Sequence, residues 1–367
     1  MNKPSHQRVI ILGGYGAFGK LISDQVTKIA DTVIAGRSAA MGQKFAASLG
    51  AEFVVCDAKD TGSLKAILAP GNIVINASGP FVPNAYSIPE TCIEGNCHYI
   101  DLADNREYVS GFSCLDARAK EKAVFACTGA STTPAVTHSL ASAISRQFSN
   151  IGSLHIYLSA GNKNKPGIST IESILSYTGT PVRVWNDGEW KIYPGWGLAE
   201  YYDFPRPVGK RRVQLCNVPD LDLFPNLLRA NRVILKAGVE LLIFNLALSI
   251  LGELKQRVHS IKLPALARPL LVLSRLFKVL GSYSGGVMVS MEGNRQKITS
   301  GMVTSQNGSR IPTSPAVLLA RRMLLQDGPP SFGAFPCIGF ITLEEFREYL
   351  EPFGIAFVTR HERISEQ

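Results

Sequence analysis

The chain has 367 residues, 46% hydrophobic and 18% charged, with a net charge of +9. This is the composition of a globular protein long enough for two domains, and it excludes a fibrous or disordered chain. The seven cysteines are odd in number and none are spaced C-x-x-C, and Cys92, Cys97 and His98 do not complete a tetrahedral set, so the reading is buried thiols and no metal.

The polar residues before Arg8 show no secretory signal, and no stretch of 18 uncharged apolar residues follows anywhere, so the chain reads as cytoplasmic. Val9, Ile10, Ile11 and Leu12 form an unbroken apolar run, as expected of a strand buried on both faces. A glycine turn and helical spacing over 17–29 come next. Further strands are expected at 32–35, 52–56, 72–76, 98–102 and 123–127. Helices over 39–49, 62–68, 85–94 and 106–122 lie between them. Six short apolar strands separated by helices predict a Rossmann-type, doubly wound parallel sheet over residues 1–130, an α/β domain.

The first turn reads Gly14-Tyr15-Gly16-Ala17-Phe18-Gly19, a G-x-G-x-x-G placed between a strand and a helix. Gly14 permits the tight turn, Gly16 the close approach of a pyrophosphate, and Gly19 the packing of helix on sheet. The helix start offers unpaired N–H groups and the positive end of its dipole. The second strand runs into Gly36, Arg37 and Ser38, where an NAD-binding chain usually has an acid for the ribose 2′-OH. Arg37 instead suits a 2′-phosphate, with Ser38 as a further donor, so NADP is the expected cofactor. Asp57, after the third strand, is placed to reach the adenine or to cap the next helix. Ala77, Ser78 and Gly79, after the fourth, belong near the nicotinamide ribose.

These segments resemble the saccharopine dehydrogenase-like family. The likeness lies in V-I-I-L-G-G-Y-G-A-F-G, in I-N-A-S-G-P-F and in C-I-E-G-N-C-H-Y-I-D-L-A-D, where Cys92, Gly95, His98, Tyr99 and Asp101 fit the pattern. It covers residues 8–140 well and the last forty residues loosely. Thr128 to Pro134 looks like the family's turn into a second domain. The resemblance implies an oxidoreductase. The centre of the chain has no arginine pattern that matches a reader of amino-acid carboxylates.

A second, α+β domain is expected over 131–312. Residues 153–160 alternate, 182–193 read as a hairpin around Asn186-Asp187-Gly188, and 286–291 with 296–304 read as an antiparallel pair around Gly293. Two apolar helices are expected at 235–254 and 264–280, as core or homodimer-interface elements, or less favourably as a wall for a greasy substrate or a membrane-surface contact. Between Arg206 and Lys278 there are thirteen Lys and Arg against four acids, so this segment carries the whole charge excess and suits an anionic partner. Nucleic acid is not expected. Residues 313–367 read as a C-terminal segment that packs back on the first domain, with a capping box at Thr342-x-x-Glu345 and a strand at 355–359.

A nicotinamide enzyme leaves orientation and a proton donor to the protein. Asp101 is the first candidate for proton transfer or for holding a substrate amine; a strand-end hydrogen bond is its alternative. Tyr99 and Cys127 lie at neighbouring strand ends, where core packing is the alternative, and His138 follows the domain crossing. The expected function is NADP-dependent hydride transfer to or from a C=N or C=C bond of a hydrophobic small molecule. The alternative is a nucleotide-binding scaffold without turnover that associates with lipid or a partner protein.

Overall fold

The computed structural model describes residues 7–164, 167–325 and 328–364. The strands are β1 (Val9–Leu12), β2 (Thr32–Gly36), β3 (Glu52–Val55), β4 (Ile73–Asn76), β5 (His98–Asp101), β6 (Phe125–Thr128), β7 (Ser153–Ala160), β8 (Pro181–Asn186), β9 (Glu189–Pro194), β10 (Glu200–Phe204), β11 (Gly209–Leu215), β12 (Arg232–Val239), β13 (Gly285–Gly293), β14 (Gln296–Thr304), β15 (Gly333–Pro336) and β16 (Ile355–Arg363). The helices are α1 (Gly19–Val26), α2 (Ala39–Leu49), α3 (Thr61–Lys65), α4 (Ser87–Glu94), α5 (Arg106–Gly111), α6 (Asp116–Glu121), α7 (Thr137–Ser145), α8 (Ile168–Tyr177), α9 (Asp220–Leu228), α10 (Leu242–Arg257), α11 (Ala267–Leu276), α12 (Arg310–Leu325) and α13 (Leu343–Leu350). Two units divide the chain: Met1–Ala135 with Arg310–Glu345, and Val136–Ser309 with Phe346–Gln367.

The first unit is a seven-stranded parallel sheet in the order β15-β6-β5-β4-β1-β2-β3. Its inner strands β1, β4, β5 and β6 are buried along their whole length, which is why they carry no apolar–polar alternation. β1 pairs with β2 on one side and β4 on the other, so the strand order reverses there. In such sheets the crevice beyond the carboxyl ends at the reversal is where ligands sit. β15 is a seventh strand that the sequence did not announce. It is four residues long, ends in Pro336 and pairs with β6 at the sheet edge, where a missing N–H is tolerated. The expected helix over 106–122 is interrupted by a 3₁₀ turn at Phe112–Leu115, after Gly111.

The second unit is a nine-stranded mixed sheet along β10-β11-β12-β7-β13-β14-β16, with β8 and β9 branching from β12. Only β12 and β7 are parallel within it. β12 corrects the helix expected over 235–254: Leu235–Val239 is strand, and the helix starts at Leu242. An apolar run has no periodicity by which to tell the two apart. Gly238 also favours the strand, because a Cβ there would lie 2.0 Å from the Arg212 carbonyl of β11. The β8–β9 hairpin turns on Asp187 and Gly188, both at positive φ, as its sequence suggested. The β13–β14 hairpin turns on Asn294 and Arg295, not around Gly293, which remains in the ladder.

The tail divides between the two units. α12 and β15 belong to the first unit, whereas β16 pairs with β14 over nine residues in the second. The reading of the whole of 313–367 as packed on the first domain is thus corrected for its last strand, because the ladder of β14 offers a complete set of backbone partners. The capping box closes as its spacing requires: the Glu345 N–H donates to Thr342 Oγ1, and Glu345 Oε2 accepts from the Thr342 N–H and hydroxyl.

Candidate functional site

The loop after β1 is held by its own backbone. Gly13, at φ +71°, donates its N–H to the Ala35 carbonyl of β2 at 2.8 Å, and its carbonyl accepts from Gly16 at 2.8 Å. A Cβ at Gly19 would lie 2.2 Å from the Gly13 carbonyl oxygen, so only glycine lets α1 start so close to the turn. Gly14 is less confined: a Cβ there would lie 3.0 Å from the Ile11 carbonyl and the Ile34 side chain. At Gly16 an added Cβ meets only the Gly13 oxygen, at 3.0 Å, and is otherwise in open space. Tyr15, Ala17, Phe18 and Gly19 have no intrachain partner for their backbone N–H among the described residues. No side chain caps α1. Four unpaired donors at a helix start form a cradle for an anion.

Tyr15 reaches from this loop to the end of β2, where its phenol oxygen accepts from the Ser38 N–H at 2.8 Å. Its ring lies against Gly36: a Cβ there would be 2.4 Å from the Tyr15 ring. The place of the usual ribose-binding acid is therefore filled by an aromatic ring, a pairing of Tyr15 with Gly36 that could not be seen in the sequence. Arg37, next along, is exposed and has no ion pair among the described residues. Ser38 caps α2, its Oγ accepting from the Met41 N–H at 3.5 Å. Asp57 is exposed beyond β3 and accepts from the Lys59 N–H, while Asp60 takes the cap of α3.

The turn after β4 lies beside the glycine loop. A Cβ on Gly13 would come within 3.1 Å of that of Ser78, and the Ala77 N–H donates to the Leu12 carbonyl. Asn76, missed as a site residue, organises this turn. Its Oδ1 accepts from the N–H and hydroxyl of Ser78, and its Nδ2 donates to the Tyr99 phenol oxygen at 3.0 Å. Gly79 follows, half-buried.

Tyr99 and Asp101 are both fully buried at the end of β5. Asp101 Oδ1 accepts from the Ala103 N–H, the Thr128 hydroxyl and the Gly129 N–H, at 3.0, 2.8 and 2.9 Å. The carboxylate thus ties the end of β5 to the turn after β6. Oδ2 is buried without a hydrogen bond. The phenols of Tyr99 and Tyr108 are close enough to bear on its titration, but neither reaches Oδ2 in hydrogen-bonding geometry. Burial pushes the Asp101 carboxyl up to about 6, against the pull of its hydrogen bonds. His98 is also structural: its Nδ1 accepts from the Phe125 N–H at 3.1 Å, which requires that nitrogen unprotonated, and burial lowers its pKa. The thiols of Cys92, Cys97 and Cys127 are pushed up by burial, a sign of poor nucleophiles. His138 lies on α7 of the second unit, buried 6.1 Å from the Phe224 ring, with its pKa lowered by desolvation.

Residues 9–127 match the model of the saccharopine dehydrogenase NADP binding domain. Among solved structures, the apo saccharopine dehydrogenase (L-Glu forming) of Saccharomyces cerevisiae superposes with a TM-score of 0.69 at 14% identity, covering 97% of this chain and all of that one. GenD2 from gentamicin A biosynthesis, in complex with NAD, gives 0.45 at 12% identity over 100% of this chain and 98% of its own, too weak a likeness to argue from. No curated protein sequence matches the chain. Residues 9–127 are thus a saccharopine dehydrogenase-type NADP-binding domain, and the whole chain is similar in fold to saccharopine dehydrogenase.

Proposed function

We propose that the protein is an NADP-dependent oxidoreductase that moves hydride to or from a C=N or C=C bond of a hydrophobic small molecule. The observation that carries this reading is the end of β2, where Tyr15 fills the place of an acid and Arg37 stands exposed and unpaired. In this reading the N–H groups of Tyr15, Ala17, Phe18 and Gly19 hold the pyrophosphate. Arg37 holds the 2′-phosphate, and Ser78 and Gly79 border the nicotinamide ribose. NADPH, when bound, supplies the hydride. Asp57 remains a candidate for the adenine edge.

Asp101 and Tyr99 act here as positioning residues. Asp101 sets the 128–130 turn through Oδ1 and holds a proton below about pH 6; Tyr99 orients Ser78 through Asn76. His138, shut in beside Phe224, has a packing role. The burial of Asp101 and Tyr99 is also what favours the second reading, a dinucleotide-binding protein without turnover. NADPH oxidation in the presence of a metabolite extract separates the two: turnover supports the enzyme, and none across diverse extracts supports the scaffold.

The cofactor preference is testable by itself. NADPH should bind at least about tenfold more tightly than NADH, a difference of about 1.4 kcal/mol, and Arg37→Glu should remove that preference by setting a negative charge against the 2′-phosphate. Calorimetric titration with both cofactors decides it, and equal affinities in the unaltered protein would refute the assignment of Arg37.

A further inference from the structure

α10 carries its polarity the wrong way round for a surface helix. Its face toward the sheet holds Asn245, Ser249 and Gly252. Asn245 is buried, with Nδ2 donating to the Val239 carbonyl at 2.7 Å, and the Ser249 hydroxyl donates to Gln214, itself fully buried on β11. Gly252 allows the close contact with Gly179, where an added Cβ would lie 2.4 Å from the Gly252 oxygen. The flank toward α8 packs Leu248 and Leu251 around Leu175, Leu263 and Ala267. Apart from Leu242 at its start and Glu253, Gln256 and Arg257 in its last turns, the outside is Ile243, Leu246, Ile250 and Leu254, spaced three, four and four apart, with Ile250 66% exposed. An ordinary surface helix puts charged and polar groups on that stripe.

The next helix repeats the arrangement. Ala267 is buried and Leu270 packs into the same cluster, while Val272, Leu273, Leu276, Val279 and Leu280 are exposed, Leu276 at 71% and Val279 at 84%. The Phe244 and Phe277 rings meet edge to face at 5.4 Å, joining the start of α10 to the 3₁₀ turn after α11. The two helices therefore form a hairpin whose inner sides share one small core and whose outer sides are aliphatic. Contiguous apolar patches beyond a few hundred Å² are rare on soluble monomers and mark an interaction surface.

Charge identifies the occupant. From Leu242 to Leu280 there are six Lys and Arg and one acid, Glu253. Arg257, Lys262 and Arg268 at the tip of the hairpin are exposed and have no ion pair among the described residues. The side chains of Arg275 and Lys278 are outside the described set. A two-fold contact with a second copy would set this basic patch against itself with almost no acid to balance it. An anionic lipid surface complements both features: aliphatic side chains enter the interface while Lys and Arg meet headgroup phosphates and carboxylates. No helix among the described residues is long and apolar enough to cross a membrane, so the contact is with one face of the bilayer. We propose that the α10–α11 hairpin docks the protein on an anionic membrane surface, the reading that the sequence placed second to core or dimer-interface helices.

The full chain is to be sedimented with phosphatidylcholine vesicles made with and without phosphatidylserine. It should pellet with the anionic vesicles at low salt and be released as salt rises, because screening removes the charge contribution. Ile250→Glu combined with Leu276→Glu alters only exposed positions. It should lower vesicle affinity at least about tenfold with the circular dichroism spectrum unchanged. Arg257→Gln and Lys262→Gln should each weaken binding roughly fivefold. Absence of pelleting with anionic vesicles at low salt overturns the proposal. So does salt-independent pelleting with both vesicle types. A dimer in light scattering that Ile250→Glu dissolves, without vesicle binding, would assign the patch to a second copy instead.

Discussion

Gly16→Val should reduce NADPH affinity at least about a hundredfold, roughly 2.7 kcal/mol, while the protein stays folded. The loop has room for the branched side chain, since a Cβ at Gly16 meets nothing closer than the Gly13 oxygen at 3.0 Å. In the proposed site that same open space is where the pyrophosphate would approach the N–H groups of Ala17 and Phe18, and two methyl groups would stand in its way. Gly19→Ala is the control of opposite character. Its Cβ would lie 2.2 Å from the Gly13 oxygen and 2.8 Å from the Gly14 Cα, both backbone atoms that cannot move independently. This variant should lose about 1–3 kcal/mol of stability from overpacking and lose binding with it. Calorimetric titration and thermal melting distinguish the two. A Gly16→Val protein that binds NADPH normally would reduce the loop to a turn.

Asp220→Asn should stabilise the protein more at pH 8 than at pH 5, by about 2–3 kcal/mol. Asp220, at the start of α9, is fully buried, and its Oδ1 accepts from the Thr137 hydroxyl of α7 while Oδ2 has no partner. Desolvation pushes its pKa from 3.8 to about 7. The folded state thus holds the proton more tightly than the unfolded chain. The stability this contributes is complete below about pH 4 and is lost as pH rises through 7, where folding must bury a bare carboxylate. Asparagine keeps the shape and an acceptor for Thr137 without the charge. Asp101, raised to about 6, should give Asp101→Asn the same sign over a lower window. The comparison must be between variant and parent at each pH. The buried His98 and His138 and the half-buried His155 have lowered pKa values, so they add stability as pH rises toward 6.5 and oppose the two aspartates. Denaturant unfolding at the two pH values measures the difference. If the effect of Asp220→Asn is independent of pH, the carboxyl titrates normally and the buried-acid account fails.

The residues proposed to hold the cofactor were the most legible in the sequence because they act locally. The glycine turn needs one backbone path between a strand and a helix, and the glycines that permit it lie within seven residues. The capping box at Thr342 and the hairpin turn at Asp187–Gly188 are local in the same sense. β1, β2 and β4 declared themselves because a strand buried on both faces is apolar along nearly all its length. Tertiary structure decided the rest. Leu235 became strand because β7 and β11 stand on either side of it, and β16 joined the second sheet because β14 had an open edge. That Tyr15 closes the place of an acid at Gly36, and that Asp101 faces inward, depends on residues more than twenty positions apart meeting in space. The outward turn of α10 was equally invisible: an apolar helix reads as core until the sheet beneath it proves to take Asn245, Ser249 and Gly252, leaving isoleucine and leucine for the outside. Local backbone requirements are written in adjacent residues, whereas which face of an element is buried depends on what packs against it, and that is settled only when the chain closes on itself.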